Sequence, residues 1–485
     1  MELKDLSPQP LWQHFAALNA VPRASKKEEG VIAFILDFGK RLGLETRRDA
    51  IGNVVIKKPA TPGMENRQTV ILQSHLDMVH QKNGDVNFDF ATQGIDMYVD
   101  GDWVKARGTT LGADNGIGVA AIMSVLSATD LVHPAVEAMF TIDEETGMTG
   151  AKGLDPANFT GTILLNLDTE EEDELTIGCA GGIDTNTNAS YKEVPAGAGN
   201  IAFDIRIKGL MGGHSGMDII KGRGNANKLM NRLLYKAKQV VDLQLVSLDG
   251  GSLRNAIPRE SQAIVTVPET AKDTFTAFVT AFTAVLKEEY KLIEKDLKVE
   301  VNAVPTPATV MEPDYFLRLL RAIYAVPNGV FRMSPDIEGL VEASSNLARV
   351  IAKDGVFITQ SLQRSSVEST KEDVSMAVGA AFENIGCEVA QAGDYPGWKP
   401  DADSATLRLL LKLYKAHFPH EPKVGACHAG LECGILGGHF PGGLDMISFG
   451  PTITGAHSPD EKVQISSVGR FYDYFLHILR EIPVK

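Results

Sequence analysis

The sequence predicts an α/β fold on a mostly parallel sheet, interrupted by an inserted α+β domain. Three observations predict it: short apolar runs end in polar or acidic residues, segments of helical spacing separate those runs, and the texture changes abruptly in mid-chain. Buried parallel strands read as continuous apolar runs because helices cover both faces of the sheet. A chain of 485 residues also exceeds one ordinary core, so two domains or a large insertion are expected.

In chain order, Ser7-Pro8-Gln9-Pro10 opens a helix through capping and proline placement. Between Glu28 and Leu42, Val31, Ile32, Phe34, Ile35 and Phe38 recur at helical spacing. Val70-Ile71-Leu72 predicts a strand running into Gln73-Ser74-His75-Leu76-Asp77. A helix follows over 117–126, then a strand over 136–142 leading into Asp143-Glu144-Glu145, and another over 163–167 leading into Asp168.

After Cys179-Ala180-Gly181-Gly182-Ile183-Asp184 the chain turns rich in Thr, Asn, Ala and Gly, and a different rhythm begins. Strands over 201–207, 263–267 and 297–301 with helices over 226–241 and 274–292 form one α+β set. Helices over 313–324 and 371–385 with strands over 346–350 and 356–362 suggest a second, related set. Proline and glycine density at Tyr395-Pro396-Gly397-Trp398-Lys399-Pro400 marks a return. A helix over 404–417, a strand over 446–450 and a helix over 468–482 close the chain. The expected division is one domain in two parts, 1–184 and 394–485, around an insertion at 185–393.

Composition narrows the function. With 44% hydrophobic and 22% charged residues the chain is neither disordered nor collagen-like. The 47 basic against 62 acidic residues give a net charge of -15, which repels phosphate backbones and anionic bilayers, so nucleic acid and membrane are not expected partners. Cys179, Cys387, Cys427 and Cys433 are too few and scattered for a disulfide framework and suit a reducing compartment. The start has no apolar run behind a basic end, and no later stretch approaches a membrane span, so the cytoplasm is the expected location.

Three predicted strands end in potential metal ligands, and in open α/β sheets ligands bind at the carboxyl ends of strands. His75 and Asp77 lie two apart and project to one side, where a carboxylate can hold a histidine's tautomer while the ring binds metal. Glu144, Glu145 and Asp168 follow their strands directly; Asp114 lies in the glycine-rich turn Leu111-Gly112-Ala113-Asp114-Asn115-Gly116, and His457 in Thr454-Gly455-Ala456-His457-Ser458-Pro459.

Singly, each has an ordinary explanation: a solvated acidic loop, a helix cap at Asp114, a partly buried His75, a loop histidine at His214. Gathered at one sheet end, such acids would repel one another without a cation. Mixed histidine and carboxylate ligation suits zinc, or cobalt or manganese, and two ions bridged by a carboxylate are a recurrent hydrolytic device.

In order and spacing, His75-Leu76-Asp77, the Leu111–Gly116 turn, Asp143-Glu144-Glu145-Thr146-Gly147, Asn166-Leu167-Asp168 and Gly455-Ala456-His457-Ser458 resemble the motifs of the di-zinc exopeptidases, the family of aminoacylase, carnosinase and the zinc carboxypeptidases. Gly212-Gly213-His214-Ser215-Gly216, Leu253-Arg254-Asn255-Ala256-Ile257-Pro258-Arg259 and His428-Ala429-Gly430-Leu431-Glu432-Cys433-Gly434 are similar to the cytosolic branch of that family acting on aminoacyl-histidine dipeptides. The resemblance implies two zinc ions bridged by Asp114, one completed by His75 and Asp168, the other by Glu145 and His457. It implies Glu144 as general base, Asp77 as partner of His75, and His214 as oxyanion donor. Asn255 and Arg364 would receive the substrate carboxylate, for which arginine offers a bidentate fork.

The implied activity is zinc-dependent hydrolysis of unblocked dipeptides, preferentially Xaa-His such as β-Ala-His (carnosine), by metal-activated water. N-acyl-amino-acid deacylation is the second expectation, and a catalytically silent binding protein on a peptidase scaffold the third. The implied fold places an α+β lid between the halves of the catalytic domain; such a lid could also serve a homodimer.

Overall fold

The structure, a computed structural model, describes residues 3–485. Met1 and Glu2, the first residues of the stretch read for a leader, lie outside it. The chain forms two compact units. One comprises the chain up to Gly178, Trp398–Ala426 and Leu431–Lys485; the other comprises Cys179–Gly397 and Cys427–Gly430. The grouping of 427–430 with the inserted unit is a feature that sequence texture does not mark.

The first unit begins with helices α1 (Gln9–Asn19) and α2 (Glu29–Arg41), the latter burying Val31, Ile32, Ile35 and Phe38 along one stripe. Strands β1 (Glu45–Arg48), β2 (Val54–Lys58) and β3 (Val70–His75) follow. Helix α3 (Ala113–Ser127) then leads to β4 (Val136–Thr141), β5 (Ile163–Asn166) and β6 (Glu174–Cys179). All of β3, β4 and β5 is buried, as is α3 from Ala113 to Leu126. A helix apolar all round belongs inside a layered core, which is why its sequence shows no polar face.

The inserted unit runs β7 (Gly181–Ser190), β8 (Asn200–Lys208), α4 (Ala226–Ala237), β9 (Gln244–Gly251), β10 (Ser261–Pro268), α5 (Lys272–Glu289), β11 (Lys298–Val304), α6 (Pro313–Ala325), β12 (Val341–Lys353), β13 (Val356–Ser365), α7 (Glu368–Glu383) and β14 (Glu388–Tyr395). Its sheet has the order β11-β8-β10-β9-β12-β13-β7-β14. Two β-α-β-β-α-β units are nested here. The inner one, β8 to β11, lies in the connection between β7 and α6, and both arrange their strands as fourth, first, third, second. They join where β9 pairs antiparallel with β12. One apolar core serves both, with Leu229, Leu233 and Phe275 from the inner unit and Phe316, Leu319 and Phe382 from the outer.

Returning to the first unit, the chain adds α8 (Ala405–Tyr414), β15 (Lys423–Cys427), β16 (Asp445–Ser448) and α9 (Ile465–Glu481). The sheet order is β1-β2-β4-β3-β5-β16-β6-β15. Strands β4, β3, β5 and β16 are mutually parallel, whereas β1–β2, β2–β4 and β16–β6 pair antiparallel. The sheet is therefore mixed, with the parallel pattern at its centre, where the apolar runs lie; β1, Glu45-Thr46-Arg47-Arg48, is an exposed polar edge. A second sheet of four short strands includes Ile453–Thr454 and Lys462–Gln464, whose connection carries His457. Among the described residues no helix is long and apolar enough to cross a membrane.

Candidate metal centre

Because β4, β3 and β5 are parallel neighbours, their carboxyl ends emerge together. This brings His75, the last residue of β3, beside Glu144–Glu145 after β4 and Asp168 after β5. Asp114 enters from the turn opening α3, where Asp114 and Asn115 depart from helical geometry. His457 enters from the smaller sheet with φ +63, a left-handed conformation uncommon outside glycine that histidine adopts more readily than most residues.

Asp114 faces both histidines. Its Oδ1 lies 3.1 Å from His75 Nε2 and its Oδ2 lies 3.2 Å from His457 Nε2. Asp168 Oδ1 is 3.4 Å from His75 Nε2, and Glu145 Oε2 is 3.0 Å from His457 Nε2. Ligand atoms of His75, Asp114 and Asp168 lie within 4.8 Å of one another, as do those of Asp114, Glu145 and His457 and those of His75, Glu144 and Glu145.

The surrounding bonds hold this arrangement. His75 Nδ1 is 3.1 Å from the backbone carbonyl of Asp77 and 3.5 Å from its carboxylate, so the nearer restraint on the ring is main-chain. The Asp77 carboxylate accepts from the backbone N–H of Glu144 (3.0 Å) and Glu145 (3.3 Å) and from Ser25 Oγ (2.7 Å). It thus fixes the turn that presents both glutamates. The Asn115 amide donates to the Leu167 carbonyl at 2.7 Å and to the Asp168 carboxylate, tying the Asp114 turn to the end of β5.

Electrostatics follow from burial and crowding. Burial works against ionised Asp114, yet hydrogen bonds from His457 and His75 hold its carboxyl well below the usual range. Burial lowers His75, but the Asp168 charge and hydrogen bonds to Asp114, Asp168 and Asp77 outweigh it and raise the ring well above its ordinary value. Hydrogen bonds to Asp114 and Glu145 push His457 up to about 11. Burial raises Glu144 well above the ordinary carboxyl value, with Asp168, Glu432 and Glu145 adding, and burial also raises Glu145 and Asp168.

In the absence of a cation the carboxylates thus draw both rings toward their charged forms. Divalent cations fit the same place, since each Asp114-containing triad offers one imidazole nitrogen and two carboxylate oxygens, and Glu145 Oε1 is buried without a hydrogen-bond partner.

In the inserted unit the structure groups His214, Asn255 and Arg364. His214 Nδ1 accepts from the backbone N–H of Gly216 and Met217, both at 3.1 Å, which assigns the neutral ring's proton to Nε2 as a donor. Burial, then the Arg364 charge, lowers its pKa, which favours the neutral ring. Arg364 is buried, its Nη1 donating to Tyr395 OH at 2.9 Å and its Nε lying 3.4 Å from Ser215 Oγ. The Ser215 N–H donates to the Asn255 carbonyl at 2.8 Å, and Asn255 itself is exposed. His428 Nε2 pairs with Ser344 Oγ at 2.7 Å; burial, with Arg364 and His214 adding, pushes this ring down to about 3.

Sequence reasoning did not single out Ser25, Tyr395 or His428, whose roles exist only through distant partners. For His428 the motif around it was visible but no function followed from it. Glu432 is buried with 2.6 Å bonds from Gln73 Nε2 and Thr141 Oγ1, and burial pushes it up to about 8.

Comparison with known proteins agrees with this architecture. The sequence profile of peptidase family M20/M25/M40 matches residues 71–481. The chain is 44% identical over 487 residues to the cytosol non-specific dipeptidase of Escherichia coli (strain K12), covering all of both chains. The crystal structure of aminoacylhistidine dipeptidase from Vibrio alginolyticus superposes with a TM-score of 0.94 at 45% identity, over 100% of this chain and 99% of that one. Aminopeptidase PepT from Bacillus cereus ATCC 10987, at 16% identity, shares the fold with a TM-score of 0.57 over 98% of this chain and 99% of its own.

Proposed function

The chain belongs to peptidase family M20/M25/M40, and from that premise we propose that it is a metal-dependent dipeptidase hydrolysing unblocked dipeptides, with Xaa-His such as β-Ala-His preferred. The observation that carries the reading is the single carboxylate of Asp114 shared between two ligand triads, with Glu144 beside them. The named activities of the E. coli and V. alginolyticus relatives support the substrate class.

Under this proposal His75, Asp114 and Asp168 hold one ion and Asp114, Glu145 and His457 the other, zinc first, with cobalt or manganese as substitutes. Bound there, the ions supply Lewis acidity toward the peptide carbonyl and lower the pKa of water. Glu144, beside the ligand triads but outside the two that share Asp114, takes the proton from the attacking water and returns it to the leaving amine. Asp77 is the partner of His75 and also holds the main chain of Glu144 and Glu145 in place. His214 donates from Nε2 to the carbonyl oxygen as charge develops on it. Arg364 and Asn255 receive the substrate carboxylate.

The division into catalytic parts 1–184 and 394–485 and a lid at 185–393, and a cytoplasmic location like that named for the E. coli relative, belong to the same proposal.

The test is a substrate panel with chelated and metal-restored protein. Dipeptides, β-Ala-His among them, should be cleaved only after zinc, cobalt or manganese is returned, with about two ions per chain. Faster cleavage of an N-acetyl amino acid would make the chain a deacylase, and no cleavage with any metal would make it a binding protein.

A further inference from the structure

Two buried charges outside the ligand triads grip the turn that carries Asp114. Glu461, 2% exposed, lies four residues after His457. Its carboxylate accepts four consecutive backbone N–H groups: Oε2 from Leu111 (2.7 Å) and Gly112 (3.0 Å), Oε1 from Ala113 (2.7 Å) and Asp114 (3.2 Å).

Arg23, also 2% exposed, grips the same turn by an oxygen. Its Nη1 donates to the carbonyls of Leu76 (3.0 Å) and Asp77 (3.1 Å), and its Nη2 to Asn19 Oδ1 (3.0 Å) and the carbonyl of Gly112. The guanidinium therefore bonds both the chain just beyond His75 and the turn just before Asp114. Gly112 has φ +71, and a Cβ there would collide with Arg23 Nη2 and Met78 Sδ, which accounts for glycine at this point of the motif.

Neither role can pass to a neutral side chain. Four converging N–H donors need an acceptor-only group with about four lone-pair sites, which among side chains is a carboxylate. Three carbonyls and an amide oxygen in different directions need the rigid five-donor fork of arginine. Burying two charges is costly unless they are hydrogen-bonded and near each other; both Nη atoms of Arg23 are bonded while its Nε is buried without a partner, and Glu461 is the strongest opposing charge acting on it against the effect of burial.

We propose that Arg23 and Glu461 are positioning residues of the metal centre: together they fix the Asp114 carboxylate against His75, and so set how tightly the two ions bind. The inference rests on the metal-dependent reading above. Neither residue touches substrate in it.

The experiment compares Co(II) uptake, followed by the visible spectrum of the bound ion, with kcat, KM and thermal melting in Glu461→Gln, Arg23→Lys and a control. The control is Glu137→Gln, since Glu137 is a similarly buried carboxylate near the opposite end of β4 that accepts from Lys57, Thr160 and the Gly161 N–H. Both test variants should bind Co(II) about 10- to 100-fold more weakly, the usual scale for groups that orient metal ligands. Their bound-ion spectra should shift, and kcat should fall with KM little changed. The control should melt earlier while binding Co(II) like the parent. Unchanged affinity and spectrum in both test variants, beside a parent that binds two ions, would overturn the positioning role alone; a parent that binds none would overturn the metal reading and this inference with it. Should Glu461→Gln fail to fold, Glu461→Asp, which keeps the charge but is shorter by one methylene, is read in its place.

Discussion

Glu144→Gln separates chemistry from metal binding, because the amide keeps the shape of the side chain and cannot accept a proton. Glu144 lies within reach of His75 and Glu145 but outside the two triads that share Asp114, so both ions should be retained. Loss of a general base costs about 10²- to 10⁴-fold in kcat, or roughly 2.7 to 5.4 kcal/mol at about 1.36 kcal/mol per tenfold. Stability should move the other way. Burial, reinforced by Asp168, Glu432 and Glu145, raises the Glu144 pKa in the metal-free fold. A carboxyl whose folded pKa lies above its unfolded one favours the fold while protonated and loses that advantage as pH rises through the folded value. At pH 8 the buried carboxyl is therefore a liability that the amide removes, whereas at pH 4 the two side chains are nearly equivalent. Chelated Glu144→Gln should melt higher than the chelated parent at pH 8 and alike at pH 4. Steady-state rates on a dipeptide, metal analysis and melts at the two pH values measure all of this. A kcat within tenfold of the parent would refute the proton-transfer role, and loss of an ion would make Glu144 a ligand.

His214→Ala removes the Nε2 donor and should lower kcat on the order of 10²-fold, as for other oxyanion donors; an unchanged rate would place His214 outside the chemistry. Arg364→Lys keeps the charge but not the fork and should raise KM for dipeptides by about tenfold or more, with little effect on dipeptide amides; an equal effect on both would deny a carboxylate contact. His428, pushed down to about 3 from 6.5, leaves the unfolded chain binding a proton that the fold refuses between those pH values. Stability should thus fall by about 1.4 kcal/mol per pH unit of acidification across that window. Urea midpoints of His428→Gln should lack this increment, and parallel pH profiles for parent and variant would count against it.

Much of the candidate site was legible because its signals are local. An apolar run that ends in His75, in Glu144-Glu145 or in Asp168 shows both a buried strand and where it meets polar surroundings. The glycines around Asp114 and the helical spacing of α2 are equally short-range. The antiparallel edges of the sheet were not legible, since β1 and β2 carry no mark of direction.

Nor was the company each ligand keeps. Local patterning showed which residues could bind a cation and which strands they end; that β3 runs between β4 and β5, so that those ends meet, comes from the packing of distant segments. Glu461 stands 347 positions from the Asp114 N–H it accepts, and Arg23 stands 54 from the Asp77 carbonyl it holds. As isolated side chains they resemble the chain's other acids and arginines. A carboxylate has the same acceptor capacity wherever it occurs, and its partners are chosen by which chain segments cross beside it in a place that water cannot reach.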